Sequence, residues 1–118
     1  MNRVISFVLM FFLLGCATHK KVVKNGALPV CLKEKIDSMA KDPNEGTPQS
    51  VTRYNYNNQT VYYLKSPCCD KYNIVYDSTC HILGYPDGGF TGRGDGKMTD
   101  FFEKATDGKV LWSQNAEK

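Results

Sequence analysis

Five cysteines are the residues of this 118-residue chain best equipped for chemistry, and one of them stands apart from the rest. Cys16 closes the run Leu13-Leu14-Gly15-Cys16, behind the positive start Met1-Asn2-Arg3 and the almost wholly apolar stretch from Val4 to Leu14. A charged start, an apolar core and a small residue before a cleavage point are the plan of a signal peptide. The core is too short for a permanent membrane helix, which needs roughly 20 apolar residues. Its last four residues have the form of a lipobox, where diacylglycerol is attached to the Cys thiol and a peptidase then cuts before that Cys. Gly15 is the small residue this needs, and Cys16 brings the thiol for the thioether. Two or three acyl chains anchor a protein stably, because each buried methylene adds ~0.8 kcal/mol. Residues 1–15 are therefore expected to be a signal peptide, with Cys16 the lipidation site and membrane anchor.

Charge supports a tether after that anchor. The formal net charge is +3, and the basic residues gather locally as His19, Lys20, Lys21 and Lys24. A nucleic-acid protein would spread a basic face over folded elements. A basic stretch beside a lipid instead lies over phosphates, so residues 16–27 read as lipidated Cys and tether, and no nucleic-acid partner is expected. Ala17 stands where an inner-membrane signal would favour Asp, and no acidic cluster follows to direct the chain to the cell surface. The expected address is the cell envelope, on the outer membrane facing the periplasm.

Cys31, Cys68, Cys69 and Cys80 remain. An even number in a small exported domain reads as two disulfides in one of three pairings. A metal site would recruit His81, but the spacings match no zinc pattern. Redox enzymes separate their cysteines by two residues, and Cys68 and Cys69 are adjacent. If the segment after Cys69 runs straight as a strand, Cys80 lies roughly 20 Å away, beyond the ~7 Å that a bridge spans between Cα atoms. Either that segment bends, or Cys68 and Cys69 bond each other while Cys31 joins Cys80. Strain in adjacent-cysteine rings favours the bend, with Cys31 taking one of the adjacent pair and Cys80 the other.

The second concentration of chemistry is the stretch from Pro86 to Lys97, rich in glycine and holding Asp87, Arg93, Asp95 and Lys97. It nearly spells a phosphate-binding loop, but Thr91 and Met98 occupy positions that need Gly and Ser or Thr. Asp87 and Asp95 are possible calcium ligands, although EF-hand spacing and its terminal Glu are missing. Arg93-Gly94-Asp95 is an integrin-type tripeptide expected by chance in such a loop. Glycines can turn main-chain N–H groups outward to hold an anion, or simply supply a structured turn with positive φ. These four charged residues are the candidate binding set.

Elements must position these groups. Leu28, Cys31, Leu32, Ile36, Met39 and Ala40 fall on one helical face, with Pro29 in its first turn and Asp42-Pro43 as its stop. The period then becomes two. Thr52, Tyr54 and Tyr56 share one strand face, and Val51, Arg53 and Asn55 share the other. Asn57-Asn58 suits a tight hairpin returning through Thr60 to Leu64. Tyr72, Ile74 and Tyr76 alternate again, Asp77-Ser78-Thr79 turns, and His81 to Leu83 returns. Asp100 to Glu103 resembles a capped short helix, with Glu103 reaching back, and Lys109 to Trp112 is a last strand. The fold class is α+β: an N-terminal helix packed on an antiparallel β-meander of about four to five strands, disulfide-stapled. The domain spans 28–113 and 114–118 is a tail. All seven tyrosines lie between Tyr54 and Tyr85, as strand residues or as a binding face.

Cys68-Cys69-Asp70, Tyr76-Asp77 followed by Cys80, Pro86 with Gly88-Gly89-Phe90-Thr91-Gly92, and Gly94-Asp95-Gly96 together resemble an uncharacterised small lipoprotein domain family of Bacteroidota. The resemblance covers about residues 28–113. It implies further cysteines in relatives where this chain has Gly84 and Met98, hence a third bridge missing here, and it implies no activity. His81 is the one histidine inside the domain, which removes the common base-plus-nucleophile arrangements. No catalytic set, metal or cofactor is expected. The expected function is a non-catalytic binding module for an envelope protein or small ligand, the alternative being a calcium, anion or enzymatic site built on residues 86–97.

Overall fold

A computed structural model describes residues 27–68 and 70–117. The signal peptide, Cys16, nearly all of the tether, and Cys69 therefore lie outside the described residues. Helix α1 (Val30–Lys41) is followed by strands β1 (Ser50–Tyr56), β2 (Gln59–Lys65), β3 (Ile74–Tyr76) and β4 (Ile82–Gly84). A short helix α2 (Phe101–Lys104), strand β5 (Thr106–Ser113) and a 3-10 turn (Gln114–Glu117) complete the chain. No helix among the described residues is long and apolar enough to cross a membrane.

Turn chemistry sets the strand boundaries. Tyr56 pairs with Gln59, which leaves Asn57 and Asn58 as a two-residue turn. Both have positive φ, 48° and 61°, the conformation whose twist matches an antiparallel hairpin. Asp77 organises the β3–β4 turn: its Oδ1 accepts from the Thr79 N–H at 2.9 Å and the His81 N–H at 3.0 Å. The helix begins one residue after Pro29, whose carbonyl accepts from the N–H groups of Leu32 and Lys33.

The sheet is antiparallel throughout in the order β4-β3-β2-β1-β5. Four strands form a meander, and β5 joins the opposite edge, beside β1. The chain leaving β4 must therefore cross the whole sheet, roughly 19 Å at the spacing of neighbouring strands. That crossover carries the glycine-rich loop and α2.

Both faces of the sheet are consequently covered. On one face Leu32 and Ile36 of α1 pack with Val51, Tyr62, Leu64 and Tyr76. On the other, Met98 and Phe101 of the crossover pack with Tyr56, Val61, Tyr63 and Val75. This double cover explains the unbroken buried run from Val61 to Leu64 in β2. Each such fully buried apolar side chain contributes about 1.5–3 kcal/mol. Ala40, expected on the inner helical face, is exposed at the margin of the stripe.

The cysteine pairing differs from the favoured expectation. Cys31 bonds Cys80 with Cα atoms 6.2 Å apart, and Cys68 is disulfide-bonded through a connection outside the described residues. Cys80 is thus joined to the helix and not to the adjacent pair. The tight turn places Cys80 at φ 65°, and it packs on the helix-covered face of the core.

Candidate functional site

The glycine-rich crossover is held by residues outside it. Asn73, between β2 and β3, is the hub. Its Oδ1 accepts from the Ser66 N–H at 2.8 Å, its Nδ2 donates to Asp87 Oδ1 at 3.1 Å, and its own N–H donates to the Asp87 carbonyl at 3.2 Å. The Tyr63 hydroxyl, on the crossover face of β2, donates to the same Asp87 carboxylate at 3.0 Å. Burial, then the adjacent Asp87 charge, push the Tyr63 hydroxyl well above its ordinary pKa. It therefore stays protonated and keeps donating. Lys71 Nζ donates to the carbonyls of Asn44 and Glu45 at 2.6 Å each, fastening this corner to the loop after α1.

The loop also bonds to itself. Gly89 N–H donates to the Lys71 carbonyl at 3.0 Å, Gly92 N–H to Gly89 at 3.2 Å, and Gly94 N–H to Gly88 at 3.1 Å. Asp95 N–H donates to the Tyr85 carbonyl at 3.0 Å, and Lys97 N–H to Asp95 Oδ1 at 3.0 Å. Two glycines have specific reasons. Gly94 has φ 66°, and a Cβ there would collide with the Tyr85 carbonyl oxygen. A Cβ on Gly89 would stand 2.5 Å from the Tyr72 ring, which tilts against Tyr85 with centroids 5.1 Å apart.

The four expected binding residues are thus not one cluster. Asp87 is an internal fastener whose carboxylate is engaged by Tyr63 and Asn73. Asp95 closes a turn on the Lys97 N–H. Arg93 and Lys97 are exposed, and among the described residues neither forms an ion pair. The expectation of outward main-chain N–H groups is corrected for Gly89, Gly92, Gly94, Asp95 and Lys97. Their hydrogen bonds run to carbonyls or a carboxylate of the protein, which leaves them nothing to offer an anion. Among the described residues no group of three or more His, Cys, Asp or Glu side chains could hold a metal ion.

The loop does present Phe90, 92% exposed. Sequence reasoning quoted Phe90 in a motif without assigning it a role, and it missed Asn73 and Tyr63 altogether. A bulky apolar residue between glycines was the available signal. Of the seven tyrosines, Tyr56, Tyr62, Tyr63 and Tyr76 are buried in the core, while Tyr72 is exposed.

Asp100 is at the N-cap position of α2 but makes no side-chain cap hydrogen bond, so the expected capping box does not form. Its carboxylate accepts from the Tyr56 hydroxyl at 2.7 Å and pairs with Lys104 at 2.7 Å. The Lys104 hydrogen bond, then that of Tyr56, lower the Asp100 pKa.

Comparison with known proteins adds a family and no activity. Residues 37–114 match the model of a domain of unknown function, DUF6970. No curated protein and no solved structure matches the chain.

Proposed function

We propose, for a chain that belongs to the DUF6970 family of domains of unknown function, the role of an exported, lipid-anchored binding module of the bacterial envelope. In this reading Cys16 carries the lipid, residues 17–27 are the tether, and the protein faces the periplasm from the outer membrane as one of the small Bacteroidota lipoproteins. It catalyses no reaction; its work is to hold an envelope partner.

Phe90 carries the proposal. A phenylalanine 92% exposed leaves its ring in water, and a partner that covers it gains about 1.5–3 kcal/mol. The loop beneath it is internally bonded, so little backbone entropy is lost when a partner closes on the ring. A buried aromatic anchor beside an arginine is the usual composition of an energetic hot spot. Arg93 and Lys97 supply the charged rim, and Asp87 holds the loop in shape.

The test uses full-length protein in its native envelope, with a photo-crosslinking phenylalanine analogue at position 90 or, as control, at exposed position 110 on β5. A discrete adduct is expected from position 90 alone. Phe90→Ala with Arg93→Ala should weaken capture at least tenfold and leave the circular dichroism unchanged. Equal adducts from both positions, or full capture by the double variant, would reject the loop as the contact surface. The anchor is tested separately: Cys16→Ser should lose acyl labelling.

A further inference from the structure

A second surface lies away from the loop, at the end of the sheet where β1 turns into β2. There the hairpin and the junction between α2 and β5 enclose an open concavity of about 590 Å³. Asn55, Asn58, Gln59, Thr60, Lys104 and Thr106 line it, together with Tyr56 and Asn57. Carboxamides and hydroxyls dominate, and each carboxamide offers two N–H donors and one acceptor oxygen close together.

The one charged side chain of the lining is already paired. Lys104 is held by Asp100 at 2.7 Å, and Asp100 in turn by the Tyr56 hydroxyl. Asp107 accepts from Asn55 Nδ2 at 2.9 Å, and the Asn55 carboxamide retains an acceptor oxygen. An anion would compete with Asp100 for the one ammonium of the lining, a cation would find no carboxylate in the lining, and an apolar ligand would desolvate the amides without compensation. A neutral molecule bearing several hydroxyl groups fits all three conditions. Neighbouring hydroxyls on a sugar ring each donate and accept, matching the paired donor and acceptor of a carboxamide.

Part of the wall is also fixed in advance. The Asn55–Asp107 bond and the Tyr56–Asp100–Lys104 chain hold three lining side chains before any ligand arrives. Asn57 and Asn58 are held by the positive-φ turn. Asn58, Gln59, Thr60 and Thr106 add two carboxamides and two hydroxyls to the same wall. From this arrangement we infer that the concavity is a binding site for a neutral saccharide. The inference is independent of the loop proposed above as the partner surface.

The test is a titration of the full-length protein, uniformly labelled with nitrogen-15, with N,N′-diacetylchitobiose and in parallel maltose, following the side-chain amide signals. One or both sugars should shift the signals of Asn55, Asn58 and Gln59, saturating in the millimolar range expected for a shallow open site. Gln59→Ala with Thr106→Val should weaken that binding at least tenfold while the remaining backbone spectrum is unchanged. Sodium phosphate at equal concentration should leave these signals in place. The inference is overturned if neither sugar shifts them, if the shifts fall elsewhere on the domain, or if phosphate moves them and the sugars do not.

Discussion

At the scale of single residues, tyrosine contributes to the core and to its pH response. Phe101 is fully buried, with ring centroids of Tyr54, Tyr56, Tyr63 and Phe102 between 5.1 and 5.9 Å away. Tyr54 and Phe102 meet it edge to face and Tyr63 stacks on it, and aromatic pairs of these kinds add about 0.5–1.5 kcal/mol beyond area burial. On the opposite face Tyr76 lies beneath Lys35 at 5.7 Å. Burial, then the nearby Tyr85 and Glu45, push the Tyr76 hydroxyl up to about 12. An unfolded tyrosine ionises near 10. The native state thus retains a proton that the unfolded chain releases, so this stability is complete below about pH 10 and is lost as pH rises toward 12. Tyr76→Phe removes that titration. Urea midpoints measured from about pH 9 to 11.5 should fall less steeply for the variant than for the parent. Parallel curves would refute the assignment.

At the scale of elements, the crossover is joined to the sheet by one close approach that the chain leaves without a covalent bond. Gly84 of β4 is buried opposite Val75. A Cβ built there would meet Met98 Sδ at 2.6 Å and stand 3.9 Å from Met98 Cβ. The second distance is within the range of disulfide Cβ pairs. Gly84 here makes room for the longer Met98 side chain. Gly84→Ala alone should therefore destabilise the fold by about 1–3 kcal/mol through overpacking. Gly84→Cys with Met98→Cys should form a bridge and stabilise it by about 3 kcal/mol, the figure for a loop of about 15 residues. Non-reducing peptide mapping and denaturant midpoints check both. Two free thiols in the double variant would show the spacing to be wrong.

At the scale of the whole molecule, three contacts set the direction of α1. Cys31 bonds Cys80 beyond the end of β3, Lys35 lies over Tyr76 within β3, and the loop after the helix meets Lys71 before β3 begins. The helix thus runs antiparallel to β3. The chain enters the domain at the end carrying the Asn57-Asn58 hairpin and the carboxamide concavity, while the glycine-rich loop projects from the other end. The Cys31–Cys80 bond closes a separation of 49 residues and holds that entry point. Replacing both by Ser should cost about 2–4 kcal/mol, because the unfolded chain regains the entropy the bridge removed. A denaturant midpoint equal to the parent's would contradict this.

The sequence alone determined what is local. Alternation in Val51 to Tyr56, the Asn57-Asn58 turn and the helical stripe through Leu32 and Ile36 were legible, because side-chain period and turn conformation depend on neighbours a few positions away. The structure decided whatever joins distant segments. Cys31 found Cys80 across 49 positions, Asp100 left its helix cap for a hydroxyl 44 positions away, and Asp87 met Tyr63 across 24. In the candidate loop, residue types identified the charged groups correctly but not their employment. An aspartate that binds a ligand and one that fastens a loop have the same composition signature. They differ in whether a donor from another strand already occupies the carboxylate, and only the crossover of the chain over the sheet brings that donor there.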